Sequence, residues 1–292
     1  MIKKILILGC TGILGNALFR TLSLENNLSV FGTYRNNFGK KFFSSNFVNN
    51  LIKLDDINNN DELIKIINKV KPKVVINAIS LSSDKFSEIH QMLSIFSLLP
   101  NRLNILSQKY GFRLIQISSD GVFSGAKGQY KEIDLPDAKD EYGICKILGE
   151  LYGKNCLTLR TSIIGPDLYK QNGLLSWFLR QEKSCSGFSN VIFSGFPTII
   201  FAEIIRDLIL PREDIFGLYH IASAPISKYR LLTLISSIYN KKIIINPMEH
   251  PYCDRSLNSD KFFSISNFVS KDWHYMIERM FRDHSEIFNY YV

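Results

Sequence analysis

No apolar run in this 292-residue chain reaches the roughly 18 residues of a membrane-spanning helix, so no segment is expected to cross a bilayer in that form. The five cysteines, Cys10, Cys145, Cys156, Cys185 and Cys253, are odd in number, widely spaced and without a C-x-x-C pair. That argues against a disulfide framework and for reduced thiols in a cytoplasmic protein. The five histidines form neither an H-x-x-x-H pair nor a cluster with cysteine, so no metal site is expected. Internal repeats, low-complexity tracts and Pro/Gly/Ser linkers are all missing. A signal peptide is not expected either, because "MIKKILILGC" runs directly into a glycine-rich turn where a cleavage site would stand. The excess of basic over acidic residues, 35 against 27, gives a formal charge of +8. It suits an anionic ligand, although scattered surface lysines give the same total, and neither a nucleic-acid nor a membrane partner is expected.

What is present is alternation. Over residues 1–165 short apolar runs alternate with helical patterns: "KKILILG", "LGNALFRTLSL", "LSVFGTY", "NDELIKIINKV", "KVVINAIS", "PNRLNILSQKYG", "RLIQISS" and "CLTLRTSIIG". Unbroken apolar strands separated by amphipathic helices form a parallel sheet covered on both faces, which is a doubly wound α/β, or Rossmann, domain. Beyond residue 165 the alternation loosens. "GLLSWFLRQ", "FAEIIRDLIL" and "SKYRLLTLISSIYN" are expected as helices, "GLYHIAS" as one more buried strand, and the tail as a last helix. The expected organisation is a Rossmann domain over 1–165, to which 196–223 returns, and a smaller, mainly C-terminal α/β substrate-binding lobe over 166–195 and 224–292. Such a lobe closes a cleft beside the strand ends. The apolar face of "GLLSWFLRQ" suits either its core or an interface.

The first turn, "GCTGILG", places Gly9, Gly12 and Gly15 between an apolar strand and a helix. Glycines there permit a tight turn and close approach of backbone to a pyrophosphate, whose charge the helix N-terminus favours. An ordinary strand-to-helix turn would need less. The second strand ends in "GTYRNNFGKK", with Arg35 and no acid between Gly32 and Lys41. An acid would suit the ribose hydroxyl of NAD and an arginine suits the 2′-phosphate of NADP, so NADP is favoured and NAD use is left open. Arg35 could equally be a solvated strand-end charge.

At the other end of the expected cleft, "LIQISSDGVFSG" carries Ser118, Ser119 and Asp120 at a strand end. Further on, "EYGICKILGE" sets Tyr142 four residues before Lys146, one turn apart on a helical face. Among the 13 tyrosines it alone has that partner. A phenol is a poor proton donor at neutral pH until a cation lowers its pKa, and Lys146 is expected to supply that cation. Ser119 can hold a substrate oxygen while Tyr142 delivers a proton. A surface pair without chemistry has the same spacing.

Together "GCTGILG", "ISSDGVFSG" and "YGICKILGE" resemble the extended short-chain dehydrogenase/reductases, and more narrowly the dTDP-4-dehydrorhamnose reductase family of nucleotide-sugar enzymes. "VINAIS", "LRTSIIG", "SGFPT" and "DRSLNS" are similar to later landmarks of that family, so the likeness covers most of the chain. The resemblance implies a catalytic set of Ser119, Tyr142 and Lys146, with Lys146 also bonding the nicotinamide ribose. It implies that Gly12, Ile13 and Leu14 lie on the pyrophosphate, with Gly9, Thr11 and Gly15 completing the turn. Asp56 and Ile57 would line the adenine, and Ala78 and Ile79 would flank the cofactor. The implied activity is reduction of the 4-keto group of a nucleotide-linked 6-deoxyhexose by NADPH or NADH, for bacterial surface polysaccharide such as the O-antigen of lipopolysaccharide. Dimerisation is common in that superfamily, so a homodimer is allowed for.

Two departures stand next to the expected sugar site. Gly121 replaces the family's usual aromatic residue after the serine/threonine-aspartate pair, and Ile163 replaces a frequent tryptophan. Both remove bulk, which opens the choice of sugar to UDP- or GDP-linked and acetamido-bearing substrates. Arg255 is the candidate for a substrate phosphate, or else forms a loop salt bridge to Asp254 or another acid. Asp120 would hold a sugar hydroxyl or cap the strand end. Two other functions fit the fold: an epimerase or dehydratase that returns its hydride, and a non-catalytic NADP-binding regulatory subunit.

Overall fold

The computed structural model describes residues 2–81 and 88–289. Six strands come first: β1 (Lys3–Leu8), β2 (Leu28–Tyr34), β3 (Leu51–Lys53), β4 (Val74–Asn77), β5 (Arg113–Ser119) and β6 (Cys156–Thr161). Between them lie α1 (Ile13–Ser23), α2 (Ser45–Val48), α3 (Asn60–Val70), α4 (Ile89–Met92), α5 (Leu99–Tyr110) and α6 (Glu141–Leu148). Past β6 the strands are β7 (Ile163–Ile164), β8 (Ser184–Phe188), β9 (Val191–Phe193), β10 (Phe196–Pro197), β11 (Gly217–His220), β12 (Ile226–Ser227), β13 (Ile244–Met248) and β14 (Cys253–Asp254). The helices there are α7 (Gly173–Arg180), α8 (Thr198–Ile204), α9 (Lys228–Ile238), α10 (Asp260–Ser266) and α11 (Trp273–Asn289).

One seven-stranded sheet runs in the order β11-β6-β5-β4-β1-β2-β3, every pair parallel. The order reverses between β1 and β4, the crevice where open α/β sheets bind ligands. "GLYHIAS" thus supplies the strand that returns to the first sheet. Apolar runs of the central strands point to both faces: Ile5 and Ile7 pack with α1 and α8, while Leu6 and Leu8 pack with α3 and α5. A third core joins α7, α9 and α11 around Phe178, Leu231 and Met280.

Local chemistry sets the element ends. Asn59 caps α3, its Oδ1 accepting from the amides of Asp61 and Glu62 at 3.1 and 3.2 Å. α5 stops at Gly111, whose φ of +70° a side chain would disfavour. The expected strand "CLTLRTSIIG" divides at Ser162, because β7 leaves the large sheet to pair with β10. "FAEIIRDLIL" forms α8 and then a wider π-helical turn over Ile205–Ile209. The outer edge of β11 is covered by side chains: His220 N donates to Glu132 at 2.9 Å, and Lys261 Nζ donates to the Leu218 carbonyl at 2.7 Å. No described helix is long and apolar enough to cross a membrane.

The C-terminal helix is tied to the helix of the glycine turn. Arg20 on α1 donates to both carboxylate oxygens of Asp283 on α11, at 2.7 and 2.9 Å, and Asp283 is buried. A buried carboxylate that loses its partner carries the full desolvation cost. Arg20→Leu should therefore lower the stability measured by urea denaturation by about 3 kcal/mol, and a loss within a few tenths of a kcal/mol would show that the pair is dispensable.

Candidate active site

Most of the expected cofactor residues stand at or just past the carboxyl ends of β1 to β4, while Tyr142 and Lys146 lie on α6. Gly9 follows β1 with a φ of +81°, and Gly12 caps α1 without a side-chain bond. A Cβ on Gly15 would overlap the Gly9 carbonyl, so the helix packs directly on the turn. Thr11 lies in the same turn, and the segment Asn37–Phe42 folds over it, with Gly39 against the Thr11 methyl. Ile13 and Leu14 open α1, and Leu14 is buried. The turn is a backbone cradle of the shape a pyrophosphate needs, and it fits a dinucleotide.

Arg35 is exposed just past β2, and Lys40 Nζ sits 4.6 Å from the centre of the Tyr34 ring. The strand end is basic. Thr33 Oγ1 accepts from the Gly9 amide at 3.0 Å, which ties β2 to that turn. Asp56 and Ile57 follow β3, where Arg102 donates to the Ile57 and Asn58 carbonyls at 2.7 and 3.0 Å. Ala78 and Ile79 follow β4, and Asn77 Oδ1 accepts from the Ile79 amide at 3.3 Å. Ile57, Ile79 and Tyr142 all pack on the apolar cluster of Met92, Ile95, Phe96 and Cys145.

Ser119 ends β5, and α6 presents Tyr142 and Lys146 to it. Asp140 caps α6, its Oδ1 accepting from the Gly143 amide at 2.8 Å. Tyr142 hydrogen-bonds Ser119 and meets Phe96 edge-on at 5.3 Å. Ser119 Oγ also donates to Asp120 at 3.2 Å and accepts from the Gly121 amide at 2.9 Å. Lys146 Nζ donates to the Ile117 carbonyl at 3.3 Å and lies 4.7 Å from the centre of the Phe96 ring.

The electrostatics correct one expectation. Burial pushes the Tyr142 phenol up to about 12, assisted by Asp120 and Asp140, while Ser119 and Arg255 act in the opposite direction. The cation acting on the phenol is Arg255, because the Lys146 ammonium is turned toward Ile117 and Phe96. Burial lowers Lys146 to about 8, against the raising field of Glu150. Burial also raises the Asp120 carboxyl, opposed by Ser119, Arg255, Ser162 and Lys228.

Arg255 follows β14 and donates to Asp140 Oδ2 at 3.3 Å. This is the salt bridge to another acid, and it sets the guanidinium beside Asp120 and Tyr142. Gly121 does not open the pocket as expected. A Cβ there would lie 2.8 Å from the Tyr142 ring and 3.1 Å from Ser119 Oγ, so the tyrosine occupies the room a side chain would take. Ile163 packs against the main core.

A buried network beneath α6 went unnoticed in the sequence. Glu150 takes two bonds from Arg160, Nε to Oε1 and Nη2 to Oε2, both at 2.7 Å. It also accepts from Ser118 Oγ at 2.7 Å and from the Tyr152 hydroxyl at 3.1 Å. Arg160 Nη1 lies 3.2 Å from His220 Nε2, and His220 Nδ1 lies 3.0 Å from the Tyr130 carbonyl. With Nδ1 donating to that carbonyl, Nε2 accepts from the guanidinium, and burial beside Arg160 lowers His220 to about 3. One charge inside the apolar strand "CLTLRTS" was the available clue, since a buried arginine must find an anion.

A family model described as the RmlD substrate binding domain matches residues 3–282. A dTDP-4-dehydrorhamnose reductase of Aggregatibacter actinomycetemcomitans is 26% identical over 185 residues, 58% of this chain and 62% of that protein's own length. The methionine adenosyltransferase 2 subunit beta of Danio rerio is 24% identical over 251 residues, 82% of this chain and 74% of its own. A hypothetical dTDP-4-dehydrorhamnose reductase from Sulfolobus tokodaii superposes with a TM-score of 0.75 at 25% identity, over 92% of this chain and 98% of that one. The Bacillus anthracis dTDP-4-dehydrorhamnose reductase, solved in complex with NADP, gives 0.77 at 20% identity over 97% and 100%.

Tyr142 should remain un-ionised at about pH 10.5, where an ordinary tyrosine is mostly ionised. The check is a titration of tyrosine labelled with 13C at Cζ, assigned by Tyr142→Phe. A midpoint near that of free tyrosine would show that the ring is not held in an apolar site.

Proposed function

This chain belongs to the RmlD substrate binding domain family, and from that premise we propose that it is a nicotinamide-dependent oxidoreductase that reduces the 4-keto group of a nucleotide-activated 6-deoxyhexose. The observation that carries the reading is the convergence of Ser119, Tyr142 and Lys146 where β5 meets α6. We assign the glycine turn with Thr11, together with Asp56, Ile57, Ala78 and Ile79, to the cofactor. NADPH is preferred because of Arg35, in keeping with the NADP held by the Bacillus anthracis protein. The dinucleotide, when bound, supplies the hydride.

The chain's own groups handle the oxygen and its proton. Ser119, backed by Asp120 and the Gly121 amide, orients the keto oxygen. A phenol at about 12 is fully protonated near neutrality, so Tyr142 starts the reaction as an acid. Arg255 favours the phenolate left behind, and the apolar wall around Phe96 keeps water from it. Lys146 orients the cofactor ribose. We assign Asp120 to a sugar hydroxyl and Arg255 to a substrate phosphate. The compartment we assign is the cytoplasm, where nucleotide sugars serve polysaccharide synthesis.

One relative, aligned over 82% of this chain, is a methionine adenosyltransferase subunit, which supports a second reading as a non-catalytic, NADP-binding regulatory protein. A panel of dTDP-, UDP- and GDP-linked 4-keto-6-deoxysugars separates the two. NADPH oxidation should occur with one of them and fall at least about 100-fold in Tyr142→Phe. Tight NADPH binding without oxidation would favour the regulatory reading, and sugar conversion without net oxidation would indicate an epimerase or dehydratase.

Arg35→Ser should raise the KM for NADPH about tenfold and leave that for NADH unchanged. Equal effects on both would remove Arg35 from the 2′-phosphate.

A further inference from the structure

Three consecutive residues at the end of β5 are bonded to Tyr142 and Lys146 on α6 and to Glu150, two residues past its end. The Ile117 carbonyl takes Lys146, the Ser118 hydroxyl donates to Glu150 at 2.7 Å, and Ser119 bonds Tyr142. Tyr142 and Lys146 lie one turn apart on α6, and Glu150 follows four residues later, beyond the C-cap at Gly149. The middle bond differs from its neighbours. Ser118 and Glu150 reach neither end of the expected cleft, and Glu150 is held on its far side by Arg160 from β6.

From this geometry we propose that Glu150 is a positioning residue for the catalytic pair, locking the end of β5 against α6 so that Ser119 faces Tyr142 and Lys146 is kept in place. The proposal rests on the reductase reading of the site.

Several features support it. The Glu150 carboxylate accepts four bonds from three residues, three of them at 2.7 Å and two of those from a guanidinium, and both ionic side chains, 1% exposed each, are sealed from water. The guanidinium is fixed in turn by His220 and by the Phe123 ring, 5.0 Å away. A carboxylate so fully bonded has one orientation, and it transfers that orientation to Ser118 and to the last turn of α6. Glu150 is also the anion whose field raises the Lys146 ammonium. Other elements on α6 present little competing charge. The segment Leu93–Leu98 carries no ionisable side chain and offers the Phe96 ring, and α4 carries the exposed His90. β5 offers a carbonyl, the field of Asp120 falls on Tyr142, and Cys145 and Glu141 are the remaining titratable groups of α6 itself.

The test reads Lys146 directly, by NMR of lysine labelled with 13C at Cε and assigned through Lys146→Arg. In Glu150→Gln the Lys146 midpoint should fall by about one pH unit, since its anion is gone. That variant leaves Arg160 unpaired and is open to unfolding, so the double variant Glu150→Gln/Arg160→Met, with no unpaired charge, is titrated as well and should show a fall in the same direction. Ser118→Ala keeps both charges, so it should leave the midpoint alone while lowering kcat about tenfold at unchanged KM for NADPH. A Lys146 midpoint that stays at the wild-type value in a folded Glu150 variant, or a Ser118→Ala enzyme with wild-type kcat, overturns the positioning role. If the wild-type protein turns over none of the sugars, the reductase reading fails, and the Lys146 titration still decides whether Glu150 acts on the lysine.

Discussion

The contact on which the site depends is the seam between the end of β5 and the face of α6. A strand end and a helix meet there through a carbonyl, a hydroxyl and a second hydroxyl, answered by Lys146 and Tyr142 on α6 and by Glu150 just past its end. Proton transfer between oxygen atoms falls off steeply with distance, so errors of an ångström in that seam matter more than comparable errors elsewhere. The surroundings restrain it from both sides. Asp140 begins α6 at a fixed point, and the Glu150–Arg160 pair fixes the chain just past its end.

The electrostatic character follows from the same burial. Tyr142 and Lys146 lie one turn apart in an apolar wall, and desolvation drives the phenol up and the ammonium down. Both shifts favour the neutral forms, yet an ammonium at about 8 is still mostly charged near neutrality, so the pair keeps one cation. A second cation, Arg255, is brought in from the C-terminal part of the chain, through its bridge to the residue that caps α6. The C-terminal part of the chain therefore meets its middle beside the Tyr142 phenol.

Much of this was legible in the sequence, for reasons of range. The parallel sheet is written in apolar runs, and the glycine turn, Ser119, Tyr142 and Lys146 depend on spacings within single strand-to-helix units. What escaped depends on pairs far apart. Arg255 and Asp140 are separated by 115 residues, and a charge's partner at that distance cannot be deduced from either neighbourhood. Glu150 and Arg160 are close in sequence, yet their pairing depends on α6 lying across β5 and β6. Ser162 breaks an apolar run because β10 competes for β7. Gly121 misled for another reason: a missing side chain leaves room only if nothing else moves in, and the Tyr142 ring has.

The covered edge of β11 bears on how the chain is made. During synthesis β6 precedes β11 by 56 residues, counted from Thr161 to Gly217, so a nascent chain presents β6 as an open, wholly buried-type edge until that strand arrives. Even then the outer amide of His220 and carbonyl of Leu218 need Glu132, made early, and Lys261, made late. The interval between strand and lysine is when an unfinished copy can template another, and the order of translation sets its length.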